Sequence, residues 1–485
     1  MSRVPYRYVV ATAFLFGMFM DLMDLTIVNV ALPTLGREFG VGHSTLEWVV
    51  TGYLLSLAVW IPASGWIGDR FGTKKTFIFA LAAFSVGSAL CGMAQSGTQL
   101  VLFRILQGVG GGMMTPVGTA MLFRAFPPAD RARAALVLTI PTVIAPAVGP
   151  VLGGWLVDMV NWRWIFFVNL PIGAVGLVFS LLFLREHTEE VPGSFDLPGF
   201  VLSAAGLALV LYSLSRGPSA GWGTFEVAGT GVAGVLAFIA LVAVELRQPQ
   251  PMLDLRLFGD RMFRASNIVF FVASSSLIGV FFLLTLFLQE LRGLSAITTG
   301  LILLPQAATV IAFAQLSGRM YPRVGPRRML VAALLMFAAG SAMMLLVDQG
   351  TSIWWIIAIL CSRGVAMAFT FIPLQAAAFA TISPASTGRA SSIFNTDRQV
   401  GSSIGVAVLA TVLTERLNAR VPAAVEAAAP ALKAAAAQHA SVLAFHDAFF
   451  AAFVIGLIGA GFALLIHDED AASTMRGPQA VVAEA

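Results

Sequence analysis

Residues 8–33 read YVVATAFLFGMFMDLMDLTIVNVALP, an apolar stretch long enough to cross a bilayer that carries two acids in its interior. Asp21 and Asp24 are three residues apart, so a helix puts both on one face. An ionised carboxylate in hydrocarbon costs at least ~2.5 kcal/mol on insertion scales. Such a residue faces a bundle interior or a water-filled path, commonly as a proton or cation site. The stretch therefore predicts a functional membrane helix. Two carboxylates this close resist ionising together and are expected to titrate as a pair.

The rest of the chain extends that reading. Of 485 residues 58% are apolar and 11% charged, against roughly 25% charged in ordinary soluble domains. This is the composition of a polytopic, all-α membrane protein. Apolar runs broken by short charged or Gly/Pro-rich loops give about fourteen candidate spans, from 8–31 to 446–466. The seventh and eighth are joined by RGPSAGWGTFE. With the N-terminus inside, basic residues favour the cytoplasmic loops by about three to one, the positive-inside asymmetry. Both termini are then cytoplasmic in an inner (plasma) membrane, and Trp162, Trp164, Trp222, Trp354 and Trp355 fall near the outer interface. The first run is too long and too acidic for a cleaved signal peptide.

GWIGDRFGTKK at 65–75 is echoed by GRMYPRVGPRR at 318–328, with Gly65, Arg70, Gly72, Lys74 and Lys75 aligning on Gly318, Arg323, Gly325, Arg327 and Arg328. The echo predicts two six-helix bundles, 1–190 and 249–468, with two inserted helices at 191–248 and a disordered tail at 469–485. In the long connection 245–264, LDLRLFGDRMF could lie on the membrane as an amphipathic helix. The Ala-rich stretch 414–445 could be helical or mobile.

Several motifs suggest moving parts. Asp69, held between glycines, could accept from a neighbouring helix N-terminus or an arginine and act as a latch; a plain positive-inside loop would explain Lys74 and Lys75 but not the acid. LVLFRILQGVGGG places Arg104 and Gln107 one turn apart before close-packing glycines. Arg104 must find an acid, a carbonyl or water, or snorkel outward. Arg363 has a similar setting in the second half. Pro141, Pro146 and Pro150, with Gly149, Gly153 and Gly154, predict a bent helix with a small-residue face, a static kink or a hinge.

MDLTIVNVALP, GWIGDRFGTKK, LVLFRILQGVGGG, GPVLGG at 149–154, WRWIFFVNLPIG at 162–173 and NTDRQVGSSIGVAVLATVL at 395–413 together resemble the fourteen-span drug:proton antiporters of the major facilitator superfamily. The resemblance implies a proton-coupled exporter of lipophilic, cationic compounds working by alternating access. It implies a coupling role for Asp24, with Arg104, Gln107 and Asn29 beside it. Gly65, Asp69, Arg70 and Gly72 match the cytoplasmic gating loop, and Gly149, Pro150, Gly153 and Gly154 the antiporter motif. Arg363, Asn395 and Arg398 are the second-half candidates. Ala145, Pro322 and Met23 depart from the family pattern, and the motif does not require Asp21.

The alternative on the same fold is a dedicated exporter of one endogenous metabolite, lipid or siderophore. An intramembrane enzyme is disfavoured, since the five histidines lie in loops or near span ends without ligand spacing. No phosphate-binding loop for ATP appears, nor a metal site, a cofactor motif or a nucleic-acid surface. The expected partners are lipophilic small molecules, protons and the bilayer, with the protein acting as a monomer.

Overall fold

The computed structural model describes residues 5–41, 43–188 and 194–475. Apolar composition with no water to satisfy the backbone forces internal hydrogen bonding, and the described residues are helical throughout, with no strand. The long helices are α1 (Tyr6–Phe39), α2 (His43–Phe71), α3 (Thr73–Met93), α4 (Gly97–Ala125), α5 (Arg131–Met159), α6 (Trp164–Phe183) and α7 (Leu197–Ala220). They continue with α8 (Phe225–Arg247), α9 (Arg261–Leu286), α10 (Ala296–Val324), α11 (Pro326–Met343), α12 (Ile353–Ala378), α13 (Thr387–Ala427) and α14 (Lys433–Ala463). Thirteen helices among the described residues are long and apolar enough to cross a membrane. The fourteenth long helix, α5, runs 29 residues, and its described stretch Val148–Met159 is apolar.

Helices α1 to α6 pack on one another, as do α9 to α14. The two groups meet along two seams, α2 and α4 against α13, and α5 against α10 and α12. Helices α7 and α8 form a hairpin whose α7 leans on α2 and α13.

The sequence echo has a structural counterpart. Gly72 and Gly325 both adopt positive φ, +99° and +83°, just before α3 and α11. In each case a carboxylate from a distant loop caps the helix that follows. Glu186, after α6, accepts from the Lys74 and Lys75 backbone N–H groups at 3.0 and 3.3 Å. Asp468, after α14, accepts from that of Arg327 at 2.9 Å. Anions at helix N-termini satisfy orphan donors and the dipole. A Cβ on either glycine would strike that carboxylate.

Four peripheral expectations change. LDLRLFGDRMF does not form one surface helix: Leu255–Gly259 is a short 3-10 turn, and α9 starts at Arg261. Asp254 and Asp260 each cap the element that follows, which breaks the run. The Ala-rich stretch is mostly helical, because α13 runs 41 residues, about 60 Å, beyond the ~30 Å of a bilayer core. Arg416 and Arg420 hold it to Asp447 of α14 at 3.2 and 2.6 Å. Trp162 is buried against Phe39 and Phe166, whereas Trp164, Trp222, Trp354 and Trp355 are exposed. Finally, the start of the expected tail is ordered: Asp468–Ala471 and Ala472–Met475 are short helices. The Thr474 hydroxyl lies 2.7 Å from that of Tyr321, and Ser473 donates to the Ala380 carbonyl. Residues 476–485 lie outside the described residues, as does the expected boundary at 190 and 191.

Candidate functional site

Asp24 is completely buried in the middle of α1 and faces α4. Its carboxylate is ion-paired with Arg104, accepts from Gln107 Nε2 at 2.9 Å and accepts from Asn169 Nδ2 of α6 at 3.3 Å. Arg104 and Gln107, one turn apart, also bind each other, Nη1 to Oε1 at 2.8 Å. Arg104 does not snorkel: its Nε donates to the Val49 carbonyl at 3.1 Å, and its guanidinium lies 4.1 Å from the Tyr53 ring centroid. The charge is thus met by an acid, a carbonyl and an aromatic face. Ser88 accepts from Asn169 at 3.1 Å and donates to the Phe166 carbonyl, which sets the orientation of the amide.

Asp21, one turn earlier, has its own partners. Tyr53 donates its hydroxyl to Oδ1 at 2.5 Å and Thr115 to Oδ2 at 3.2 Å. Tyr53 therefore touches both centres, its hydroxyl on Asp21 and its ring on Arg104. Arg398 of α13 acts on Asp21 through space, reaching across from the second half. The acids are neighbours on one helix held by separate donor sets, each with a cation nearby, rather than two carboxylates facing each other.

Close approach of α4 to its neighbours makes these contacts possible. A Cβ on Gly111 would meet the Tyr53 hydroxyl at 2.6 Å, and one on Gly108 the Tyr53 carbonyl at 2.8 Å. Gly149 and Gly153 of α5 do the same for α1, abutting Thr26 and Ile27 directly after the acid pair, while Gly154 abuts Ile297 of α10. Pro150 lies half-buried between them. The GP-x-x-GG segment is thus wedged between the first-half acid helix and the second half.

The latch motif lies on the face that carries the 65–75 loop. Asp69 accepts from Arg124 of α4 at 2.9 Å, the expected arginine partner, and sits against Gly388 in the first turn of α13. The Gly65 N–H donates to Ser392 Oγ at 3.0 Å, and Ser391 Oγ donates to the Pro116 carbonyl at 2.7 Å. Phe123 stacks on Phe379 with centroids 4.2 Å apart. The two halves are closed together on this face.

Other expected residues lie elsewhere. Asn29 is exposed and donates to the Leu25 carbonyl of its own helix. Five residues beyond Asp24 is about 140° around a helix, which turns it from the cluster. Arg70 is exposed. Asn395 is buried but bonds within α13, to the Ser391 carbonyl at 2.9 Å. Arg363 is buried far from the acids, with Ser341 Oγ at 2.8 Å and the Phe337 ring at 4.0 Å.

Tyr53, Thr115 and Asn169 are functional-site residues that sequence reasoning did not select. The signal for Asn169 was its place in WRWIFFVNLPIG, an amide in an apolar run; Tyr53 and Thr115 gave none.

A helical membrane bundle with a buried carboxylate–guanidinium pair is the architecture of a transporter. Residues 14–406 match the Major Facilitator Superfamily, and the chain belongs to that family, one of membrane transporters rather than enzymes. It is 35% identical over 394 residues to the Multidrug resistance protein B homolog of Mycobacterium tuberculosis, covering 80% of this chain and 73% of that one. It is 33% identical over 399 residues to the Tetracenomycin C resistance and export protein of Streptomyces glaucescens, covering 81% and 73%. Among solved structures the human organic anion transporter MFSD10 superposes with a TM-score of 0.67 at 17% identity, over 95% of this chain and all of that one. This chain is a multi-pass membrane transporter of small molecules, grouped with relatives named for multidrug resistance.

Proposed function

We propose that the protein is a proton-coupled exporter of lipophilic, cationic compounds, an antiporter that works by alternating access. The observation that carries this reading is the fully buried Asp24, ion-paired with Arg104 and held by Gln107 and Asn169. A buried carboxylate with a single guanidinium partner can hold either a proton or the ion pair, and is so poised between two states. Protonation removes its charge and releases Arg104 to the Val49 carbonyl, Gln107 and the Tyr53 ring. A lipophilic cation favours the ionised form, so proton and substrate compete. A membrane potential of 100 mV contributes about 2.3 kcal/mol per charge moved, enough to bias such a cycle.

In this reading residues 1–190 and 249–468 are the two rocking bundles, with 191–248 the insert. Asp69, Gly65 and Ser392 form the latch that must part when the closed face opens. That face is cytoplasmic, both termini are inside a plasma (inner) membrane, and one chain suffices for transport. Gly149 to Gly154 let α5 slide between α1 and α10.

The second reading, one dedicated cargo, is favoured by the Streptomyces relative named for a single compound. A panel of unrelated lipophilic cations separates the two. For the main reading, inverted vesicles with an imposed pH gradient should accumulate ethidium with the wild-type protein and not with Asp24→Asn. Equal accumulation by both would refute the assignment of Asp24.

A further inference from the structure

Arg363 and Arg104 are buried arginines of the fourth helix in each group, α12 and α4, at different positions: Gly340 abuts Arg363, whereas Gly87, which the same repeat spacing relates to Gly340, abuts Gln107. Their surroundings differ in one respect. Arg104 is neutralised by Asp24, whereas Arg363, equally buried, has only Ser341 Oγ at 2.8 Å and the face of Phe337 at 4.0 Å. No acid pairs with it among the described residues, and α9, the counterpart of α1, contains no Asp or Glu. Leu277 lines a small cavity of about 10 Å³ with Val280, Phe281, Leu284, Gln306 and Arg363 itself. The second half therefore buries an arginine with no acid partner among the described residues and a void beside it.

A permanent cation held in an apolar wall strongly favours an anion that can reach it. The void has about the room of one water or one carboxylate oxygen, and Gln306, whose Nε2 lies 2.9 Å from Met367 Sδ, is placed as a second donor. Leu277, Val280, Phe281 and Leu284 make the rest of the void's wall apolar. We propose that Arg363 and Gln306 form a subsite for the carboxylate of a lipophilic substrate. The exporter then prefers compounds bearing a carboxylate as well as a cationic centre. This inference rests on the exporter reading and adds the substrate class.

The test compares rhodamine B, which has a free carboxylate, with its ethyl ester, by fluorescence anisotropy on the purified full-length protein in detergent. A charge-assisted hydrogen bond predicts that the wild type binds the acid about ten- to a hundredfold more tightly than the ester. In Arg363→Gln the ratio should fall to about one. Leu277→Asp provides a second variant that keeps the arginine: its built-in carboxylate should occupy Arg363 and also bring the ratio to about one. Replacing chloride by methanesulfonate, which carries no carboxylate, separates sources, since a ratio that appears only without chloride would make free inorganic anion the resident ligand and overturn the substrate subsite. A wild-type ratio near one, or a ratio unchanged in both variants, leaves Arg363 a packing residue and overturns the proposal. Binding of the ester without preference for the acid defeats this proposal alone. Failure to bind either dye defeats the exporter reading with it.

Discussion

The two halves of the molecule use the same parts to different ends. In the first, the fourth-helix arginine closes on a buried acid, and the last turn of the second helix carries an acid that meets α13. In the second, the arginine has no acid among the described residues, and Pro322 stands where Asp69 does in the first copy. What is retained is structural: the positive-φ glycine and the carboxylate that caps the next helix. What is lost is charge pairing. In the proposed cycle the first half handles protons and the latch, while the second contributes the buried Arg363.

The largest effect should come from Arg104→Ala. It strands the Asp24 carboxylate, and breaking a buried pair costs about 3–5 kcal/mol. Thermal unfolding in detergent should show that loss, against a smaller one for Arg363→Ala, which strands no acid. Equal losses would erase the contrast between the halves. Next, Gly149→Val drives a side chain into Thr26, and overpacking costs about 1–3 kcal/mol. Gly318→Val, with nothing within 4 Å of its Cβ, should be nearly silent in the same assay.

Tyr53→Phe removes a donor to a buried carboxylate, worth about 1.5–3 kcal/mol when the acceptor is charged. Vesicle transport should survive with an altered pH optimum, and an unchanged optimum would detach Asp21 from the cycle. The smallest effect belongs to Asp447→Asn on the projecting hairpin, where exposed pairs contribute about 0–1 kcal/mol. Transport by that variant should match wild type.

Much of this was readable from residues alone, because membranes make charge conspicuous. Asp24 and Arg104 are costly in an apolar run, so each announced itself and implied a partner. Gln107 followed from its one-turn spacing to Arg104. Tyr53 was not readable, since a phenol in an apolar run looks like packing until its hydroxyl finds an acid 32 positions away. Glu186 and Asp468 were hidden in the same way: a loop acid looks like solvated charge unless the helix N-terminus above it is known. Asn29 failed in the opposite direction, placed with Asp24 by motif although helical geometry turns it away. The void beside Arg363 is an absence of volume, which no residue pattern states.

The central claim is that Asp24 carries the proton exchanged for substrate. Its most direct test is proton release from purified, lightly buffered protein on addition of ethidium, read with a pH dye. The account predicts a stoichiometric release by wild type and by Asp21→Asn, and none by Asp24→Asn. An undiminished release from Asp24→Asn, with ethidium still bound, would contradict it.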